Sequence, residues 1–555
     1  MNLKKIALII LGISPLDATL PVDNSSESLN IVLSSTISSR SHIKYLFEIA
    51  KHLRNKGHNI IYAAPKENFK FSKPYNYTEY DIGGKVMNPR DVFKTLDVEQ
   101  MIKNNMKPMI KLSVEISINQ YKESFEKYEE MYKKIKADLI ICDFLSSVCL
   151  DSARKSNVPV ISGFQGLNSD IAGAPYITNT MDSSPTTTEY LSFYQRFKQT
   201  VITPLGMIYN FSDMLKQMNE VRKKYGVPSS HNPFGAIDQV MKISNTYIGF
   251  DDARPIPSTL KLVGPVMDDH IPELDQELQL FLDNRKSIYV AFGSNVVLSE
   301  KLLQRLMSAM QLAIDSGAVE GVLWSLGNTY HEDFPKTYEV NGQTYSTKSI
   351  LDGTHSYIKA LSWAPQTAIL NHQNTKLFIS HGGIESSHEA IHIGTPILLM
   401  PMLGDQPRNA RLIKNRGVGD YVDTINSTPY DLFDKIKELT REDNYVLQDN
   451  IKHIQSISHY HNAMRENNAK FIENYAISAK ICRKSYQPKP FEIPCELEPY
   501  MEAGSRMPFI AAYKIDIILT LFSIGLVVAF ISLYIIYNLV KLLIQIPKQL
   551  KQKEE

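Results

Sequence analysis

Residues 363–406 read WAPQTAILNHQNTKLFISHGGIESSHEAIHIGTPILLMPMLGDQ, and this stretch decides how the rest of the chain is read. Within it, residues 376–380 (KLFIS) and 396–402 (PILLMPM) are short, nearly all-apolar runs of strand length. Such runs are the pattern of strands buried on both faces of a parallel sheet. Between them, 386–393 predicts a helix closed by Gly394, with Pro396 beyond it as a stop. The unit is β-turn-α-β, and its turn is His381-Gly382-Gly383. Glycines there let the backbone approach a ligand, and the following helix aims its free N–H groups and positive dipole end at the same place. A diphosphate is the natural guest, although Gly-Gly before a helix is also an ordinary tight turn.

Neighbouring residues favour a ligand. Trp363 is one of only 2 Trp in the chain, and it precedes Pro365 in a loop where a flat ring can stack on a base. Asp405 and Gln406 follow the second strand at its C-terminal end, where open α/β sheets bind ligands, and they offer acceptors and donors for sugar hydroxyls.

Taken in order, W-x-P-Q, H-x-G, S-x-x-E, G-x-P and D-Q resemble the donor-binding signature of the UDP-glycosyltransferase family, which includes membrane-bound UDP-glucuronosyltransferases and plant glucosyltransferases. The resemblance implies that Trp363 stacks on uracil while the Ala364 backbone reads its edge. Gln366 and Glu389 would hold the ribose hydroxyls, His381, Gly383 and Ser386 would contact the diphosphate, and Asp405 and Gln406 would bind the sugar. One departure stands out. Glu385 occupies the position where the family usually has Asn beside the phosphates, and a carboxylate there is repulsive unless turned away or paired. Upstream, residues 287–294 (SIYVAFGS) resemble the first strand of the family's C-terminal domain, which would set Gly293 and Ser294 against the diphosphate. Residues 250–266 resemble its interdomain passage. Residues 321–324 (GVLW) resemble its next strand, with Ser325 where an Arg is common.

The N-terminal half repeats the logic. Residues 29–33 predict a strand, Ile43, Leu46, Phe47, Ala50 and Leu53 form the apolar stripe of a helix ending at Gly57, and 58–63 resume a strand. Ser41-His42 lies at the helix start and resembles the opening of the mature family domain, which makes His42 the match to the family's catalytic base. An unperturbed imidazole titrates near about 6.5, so a useful fraction can accept a proton at neutral pH. His52 and His58 are weaker candidates. Residues 138–143 (DLIICD) predict a buried strand ending in Asp143, where the family places the aspartate that orients the base. Asp138 and Asp151 are expected to be solvated or capping.

The expected fold is therefore α/β, two Rossmann-like domains facing across a cleft of the GT-B type, plus one C-terminal transmembrane helix. The expected segments are a signal peptide at 1–18, an acceptor domain at 19–255, a UDP-sugar domain at 256–475, a juxtamembrane segment at 476–516, a transmembrane helix at 517–540 and a cytosolic tail at 541–555. A chain of 555 residues with 43% hydrophobic content has the length for two cores and a tail. Its net charge of +1, with no aromatic-basic interleaving, points away from nucleic acid. No D-x-D donor motif is present in the sequence, so no metal and no cofactor are expected; the UDP-sugar is a co-substrate.

Residues 1–5 are basic and 6–13 apolar, the pattern of a signal peptide. The uncharged run 517–540 would span roughly 36 Å as a helix, against a hydrocarbon core of about 30 Å. Lys541, Lys548, Lys551 and Lys553 follow it, which places the tail in the cytosol and the catalytic domains in the lumen. Sequons at Asn24, Asn76, Asn210 and Asn426 are compatible with a lumenal glycoprotein. The final K-x-K-x-x resembles a dilysine retrieval signal of the endoplasmic reticulum membrane. Of the 4 Cys, Cys482 and Cys495 could pair, with Cys142 and Cys149 expected as buried thiols.

The function implied is an inverting transfer of a hexosyl group, glucose or glucuronate, from a UDP-sugar to a hydroxyl of a small lipophilic acceptor. A sterol or membrane-lipid glucosyltransferase is an alternative, as is an inactive membrane-anchored UDP-sugar-binding protein. Homo-oligomerisation is left open.

Overall fold

The computed structural model describes residues 27–84, 86, 107–178, 185–233, 235, 237–293, 296–327 and 331–551. The expected leader at 1–18, the Asn24 sequon, Ser294 and residues 552–555 of the tail lie outside the described residues.

Seven parallel strands form the first sheet: β1 (Asn30–Ser34), β2 (Asn59–Ala64), β3 (Thr78–Asp81), β4 (Leu139–Asp143), β5 (Val160–Phe164), β6 (Met241–Ser244) and β7 (Leu260–Leu262), in the order β3-β2-β1-β4-β5-β6-β7. The second begins with β8 (Ser287–Ala291) and β9 (Gly321–Ser325). An antiparallel hairpin, β10 (Thr337–Val340) and β11 (Gln343–Ser346), comes next, and then β12 (Ile358–Leu361), β13 (Thr375–Ser380), β14 (Ile397–Leu399) and β15 (Gly419–Tyr421). The six parallel strands of the second sheet run β12-β9-β8-β13-β14-β15. Chain order thus reverses between β1 and β4 in one sheet and between β8 and β13 in the other. At each reversal the crossovers leave to opposite sides and open a crevice beyond the strand ends, the usual ligand position in a doubly wound sheet. Both βαβ units expected from the sequence are present and frame these crevices.

Apolar composition explains the layering. All five residues of β4 are buried, as are all five of β8, the second-sheet counterpart of β1. Each fully buried aliphatic side chain in such a strand contributes about 1.5–3 kcal/mol. The Lys44–Asn55 helix buries Leu46, Phe47, Ile49, Ala50 and Leu53 against the first sheet and ends before Gly57, whose φ of 92° turns the chain into β2. The Ile384–Ile393 helix ends the same way, with Gly394 at φ 94°.

Three expectations need correction. His42 does not begin the helix: it closes a separate 3-10 turn, Arg40–His42, and the α-helix starts at Lys44. Cys142 and Cys149 are not thiols but a disulfide with Cα atoms 5.8 Å apart, because the short loop after β4 folds the Ser147–Lys155 helix back beside the strand end. Asp151 is neither solvated nor a cap. It is 2% exposed, and it accepts from Arg222 Nε at 3.0 Å and from the Tyr121 hydroxyl. The other expected pair, Cys482–Cys495, is present.

Beyond the second sheet, the Arg465–Ser485 helix packs against the Lys44–Asn55 helix; Glu473 on it pairs with Lys56 and, at 3.0 Å, with His58 Nε2. That contact gives His58 a structural partner. A separate unit, Pro257–Thr259 with Leu497–Glu555, contains the Ile515–Lys551 helix. Its segment Ile515–Leu543, 29 residues, is long and apolar enough to cross a membrane.

Candidate active site

At the first crevice, β1 delivers the chain into the Arg40–His42 turn, and neighbouring β4 ends in Asp143. Adjacent strands at a reversal therefore carry the two residues to one point. His42 Nδ1 lies 2.8 Å from Asp143 Oδ2, and Asp143 is fully buried. Its second oxygen, Oδ1, accepts the Leu145 N–H at 3.0 Å. With both oxygens held, the carboxylate has one orientation, and the imidazole proton resides on Nδ1. Nε2 is left as the acceptor, and the ring leans on Phe144 at a centroid distance of 6.2 Å. Burial of the ring opposes its protonation, but the Asp143 charge and hydrogen bond, with smaller fields from Asp405 and Glu385, outweigh it and raise the pKa above 6.5.

The fields from Asp405 and Glu385 connect this point to the second crevice. Asp405 occupies the N-cap position of the Gln406–Asn415 helix without a side-chain capping bond and accepts from Asn409 Nδ2 at 2.7 Å. Asp405 is an exposed residue, yet the protein around its carboxyl displaces enough water to raise its pKa against the opposing pull of Asn409 and of His42. Gln406 Oε1 accepts the Met402 and Leu403 N–H groups, both at 2.9 Å, so what the side chain can still offer is its Nε2 donor.

The ends of β8 and β13 converge on a close-packed turn. A Cβ on Gly293 would lie 2.9 Å from His381 Cε1, and one on Gly383 2.7 Å from His381 Nε2. Gly293 also has a φ of 72°, so only glycine fits there without strain. Burial pushes the His381 pKa down to about 4, which keeps its ring neutral at neutral pH, and Nδ1 meets Ser380 Oγ at 3.2 Å. Gly383 is the N-cap of the Ile384–Ile393 helix and offers no side chain to cap it, so the helix presents backbone N–H groups to the crevice.

One turn along that helix, Gln366 Nε2 donates to Glu389 Oε2 at 2.6 Å and to Ser386 Oγ at 3.2 Å, so three of the expected residues form one bonded cluster. Ala364 is buried beside it, 6% exposed. Trp363 stands apart with 71% of its surface exposed, whereas Trp324 is 1% exposed and packs on Phe334. An indole left open in this way has no packing role that explains it, whereas Trp324 is plainly core.

The residue that sequence reading missed is Lys44. Its Nζ reaches across from the first half to Glu389 Oε1 at 2.8 Å and Glu385 Oε1 at 3.1 Å, with Asp268 Oδ2 at 3.9 Å. Glu385 is therefore paired. The only sequence signal was a lysine on the face opposite the apolar stripe, two residues past His42, where a solvated side chain was the default.

Residues 172–475 match the family model described as UDP-glucoronosyl and UDP-glucosyl transferase. A UDP-glycosyltransferase of Talaromyces amestolkiae is 28% identical over 353 residues, 60% of this chain and 65% of the relative, so the chain spans just under two thirds of that protein. The UDP-glycosyltransferase stmC of Aspergillus ustus is 26% identical, covering 70% of this chain and 76% of its own. Among solved structures, the glycotransferase of kitacinnamycin superposes with a TM-score of 0.59 at 14% identity, over 81% of this chain and 99% of its own; the likeness is one of fold, two Rossmann-like halves of the GT-B type.

Proposed function

The chain belongs to the UDP-glucoronosyl and UDP-glucosyl transferase family, and from that premise we propose that it is a UDP-dependent glycosyltransferase that moves a hexosyl group to an acceptor hydroxyl with inversion. The observation that carries this reading is the 2.8 Å contact between His42 Nδ1 and Asp143 Oδ2 at the β1–β4 crevice, within the field of Asp405 from the opposite half. In the reaction, His42 Nε2 takes the acceptor hydroxyl proton as the oxygen attacks the anomeric carbon of an α-linked UDP-sugar. The bond from that carbon to the phosphate oxygen breaks, and UDP leaves with its electron pair. Asp143 stabilises the imidazolium. Backbone N–H groups at the start of the Ile384–Ile393 helix, with Gly293, Ser294, His381, Gly383 and Ser386, receive the charge that develops on the diphosphate. Trp363 and Ala364 take the uracil, Gln366 and Glu389 the ribose, and Asp405 and Gln406 the sugar hydroxyls.

A neutral hexose suits this site better than a glucuronate, because Asp405 already contributes a carboxylate where the sugar would lie. The acceptor is a small lipophilic alcohol: the 515–543 helix anchors the chain in a membrane, where such molecules concentrate. The catalytic body is lumenal, in the endoplasmic reticulum. No metal enters the scheme, since the diphosphate is met by backbone dipoles and a neutral imidazole.

The test is incubation of the full-length protein in nanodiscs with UDP-glucose or UDP-glucuronate and a panel of lipophilic alcohols, with the product read by proton NMR. A β-glycoside from the α-linked donor is expected, formed faster from UDP-glucose. An α-glycoside would overturn the single-displacement scheme, and UDP binding without any transfer would make the chain a binding protein.

A further inference from the structure

Lys44 is 5% exposed and carries a cation into the interface between the two halves, where Glu385 and Glu389 of the second half and Asp268 of the passage between the sheets surround it. We infer that Lys44 is a positioning residue for the donor, supplied by the acceptor half, which neutralises Glu385 beside the diphosphate and fixes the Glu389 carboxylate for the ribose. This rests on the UDP-sugar reading above and extends it to a residue that touches neither base nor sugar.

Two features support it. Glu385 is the second residue of the Ile384–Ile393 helix, so its charge would oppose a diphosphate at that helix start unless another group cancels it. Lys44 supplies the cancelling charge at 3.1 Å; Arg40 is also within electrostatic reach but is itself exposed, so the direct contact is made by Lys44. Glu389 accepts Lys44 on Oε1 and Gln366 on Oε2. A carboxylate has about four acceptor sites, so two donors hold it still and leave roughly two sites for the ribose hydroxyls. The donor residue is thus oriented before the donor arrives. Because Lys44 follows His42 by two residues, the same contact also seats the turn that carries the base.

The experiment compares UDP and uridine binding by calorimetry on full-length wild type, Lys44→Met, Glu385→Asn and the double variant. Lys44→Met should weaken UDP binding about tenfold or more, equivalent to about 1.4 kcal/mol. Uridine binding should weaken less, since uridine carries no charge for Glu385 to repel. Donor KM should rise with acceptor KM unchanged. Adding Glu385→Asn should restore most of the UDP affinity, which a purely structural salt bridge would not allow. Glu385→Asn alone should bind UDP at least as tightly as wild type, and this arm stands even where Lys44→Met fails to fold. Equal losses for UDP and uridine, unchanged UDP affinity in Lys44→Met, or weakened UDP binding in Glu385→Asn would each overturn the inference. Failure of the wild type to bind UDP would instead overturn the reading of the site on which it rests.

Discussion

Replacing Asp143 by Asn removes a charge without changing shape, and the surroundings dictate how the amide settles. In the native protein Oδ2 accepts the His42 Nδ1–H at 2.8 Å and Oδ1 accepts the Leu145 N–H at 3.0 Å. Asparagine has one acceptor and one donor end. If its oxygen stayed on His42, its NH2 would face the Leu145 N–H, two donors abutting in a fully buried site at a cost of about 1–3 kcal/mol. The amide therefore turns its oxygen to Leu145 and its NH2 to His42. Nδ1 must then accept, which moves the imidazole proton to Nε2, the atom that should receive the acceptor's proton. General-base catalysis is lost, worth about 10²–10⁴ in kcat, or about 2.7–5.4 kcal/mol of barrier. The residual activity should also shift with pH. Burial and the Asp143 charge act in opposite directions on His42, and in the wild type the charge wins, so the acid limb of kcat/KM lies above 6.5: the base is protonated and idle below that limb. Without the charge, burial dominates and the limb moves to lower pH. Steady-state UDP release across the neutral range measures both, with UDP binding as the control for folding. An Asp143→Asn enzyme with wild-type kcat and an unmoved limb would refute the reasoning.

Four further outcomes are expected. Trp363→Ala should weaken UDP binding by about 1–3 kcal/mol, the usual worth of stacking a base on an aromatic ring, and leave Tm unchanged because the ring is 71% exposed. Trp324→Ala, by contrast, should destabilise by about 3–5 kcal/mol in denaturant titrations. Gly293→Ala should lose donor affinity, since its Cβ would meet His381 at 2.9 Å with a φ of 72°, and isothermal titration with UDP checks it. Asp405→Asn should lower the pH of the acid limb slightly, by removing a minor field at His42, while raising donor KM; a pH profile reads the first and a donor titration the second.

What the sequence made legible came from short-range physics. Apolar runs at 376–380 and 139–142 named buried strands, and Gly57 and Gly394 ended helices because their left-handed φ values admit little else. The topological reversal then made His42 and Asp143 neighbours although 101 residues separate them. Long-range pairings were not legible. Nothing near Lys44 in the sequence indicates carboxylates 341 and 345 positions away, so the pairing that makes Glu385 tolerable beside the diphosphate is invisible there. Asp151 looked like a surface aspartate because Arg222, its buried partner, lies on another helix. The β10–β11 hairpin does carry a local signal, Asn341-Gly342 with φ of 52° and 78°, the pair that two-residue hairpin turns favour. Cys142–Cys149 escaped because the loop that folds the helix back on β4 is set by packing, not by cysteine spacing.

The most direct test of the central claim is a paired measurement on His42→Gln in the full-length protein: UDP affinity by calorimetry, and glycoside formation from a UDP-sugar and a lipophilic alcohol. The account predicts UDP affinity close to wild type with transfer reduced by about 10² or more. Transfer at the wild-type rate by His42→Gln would contradict it.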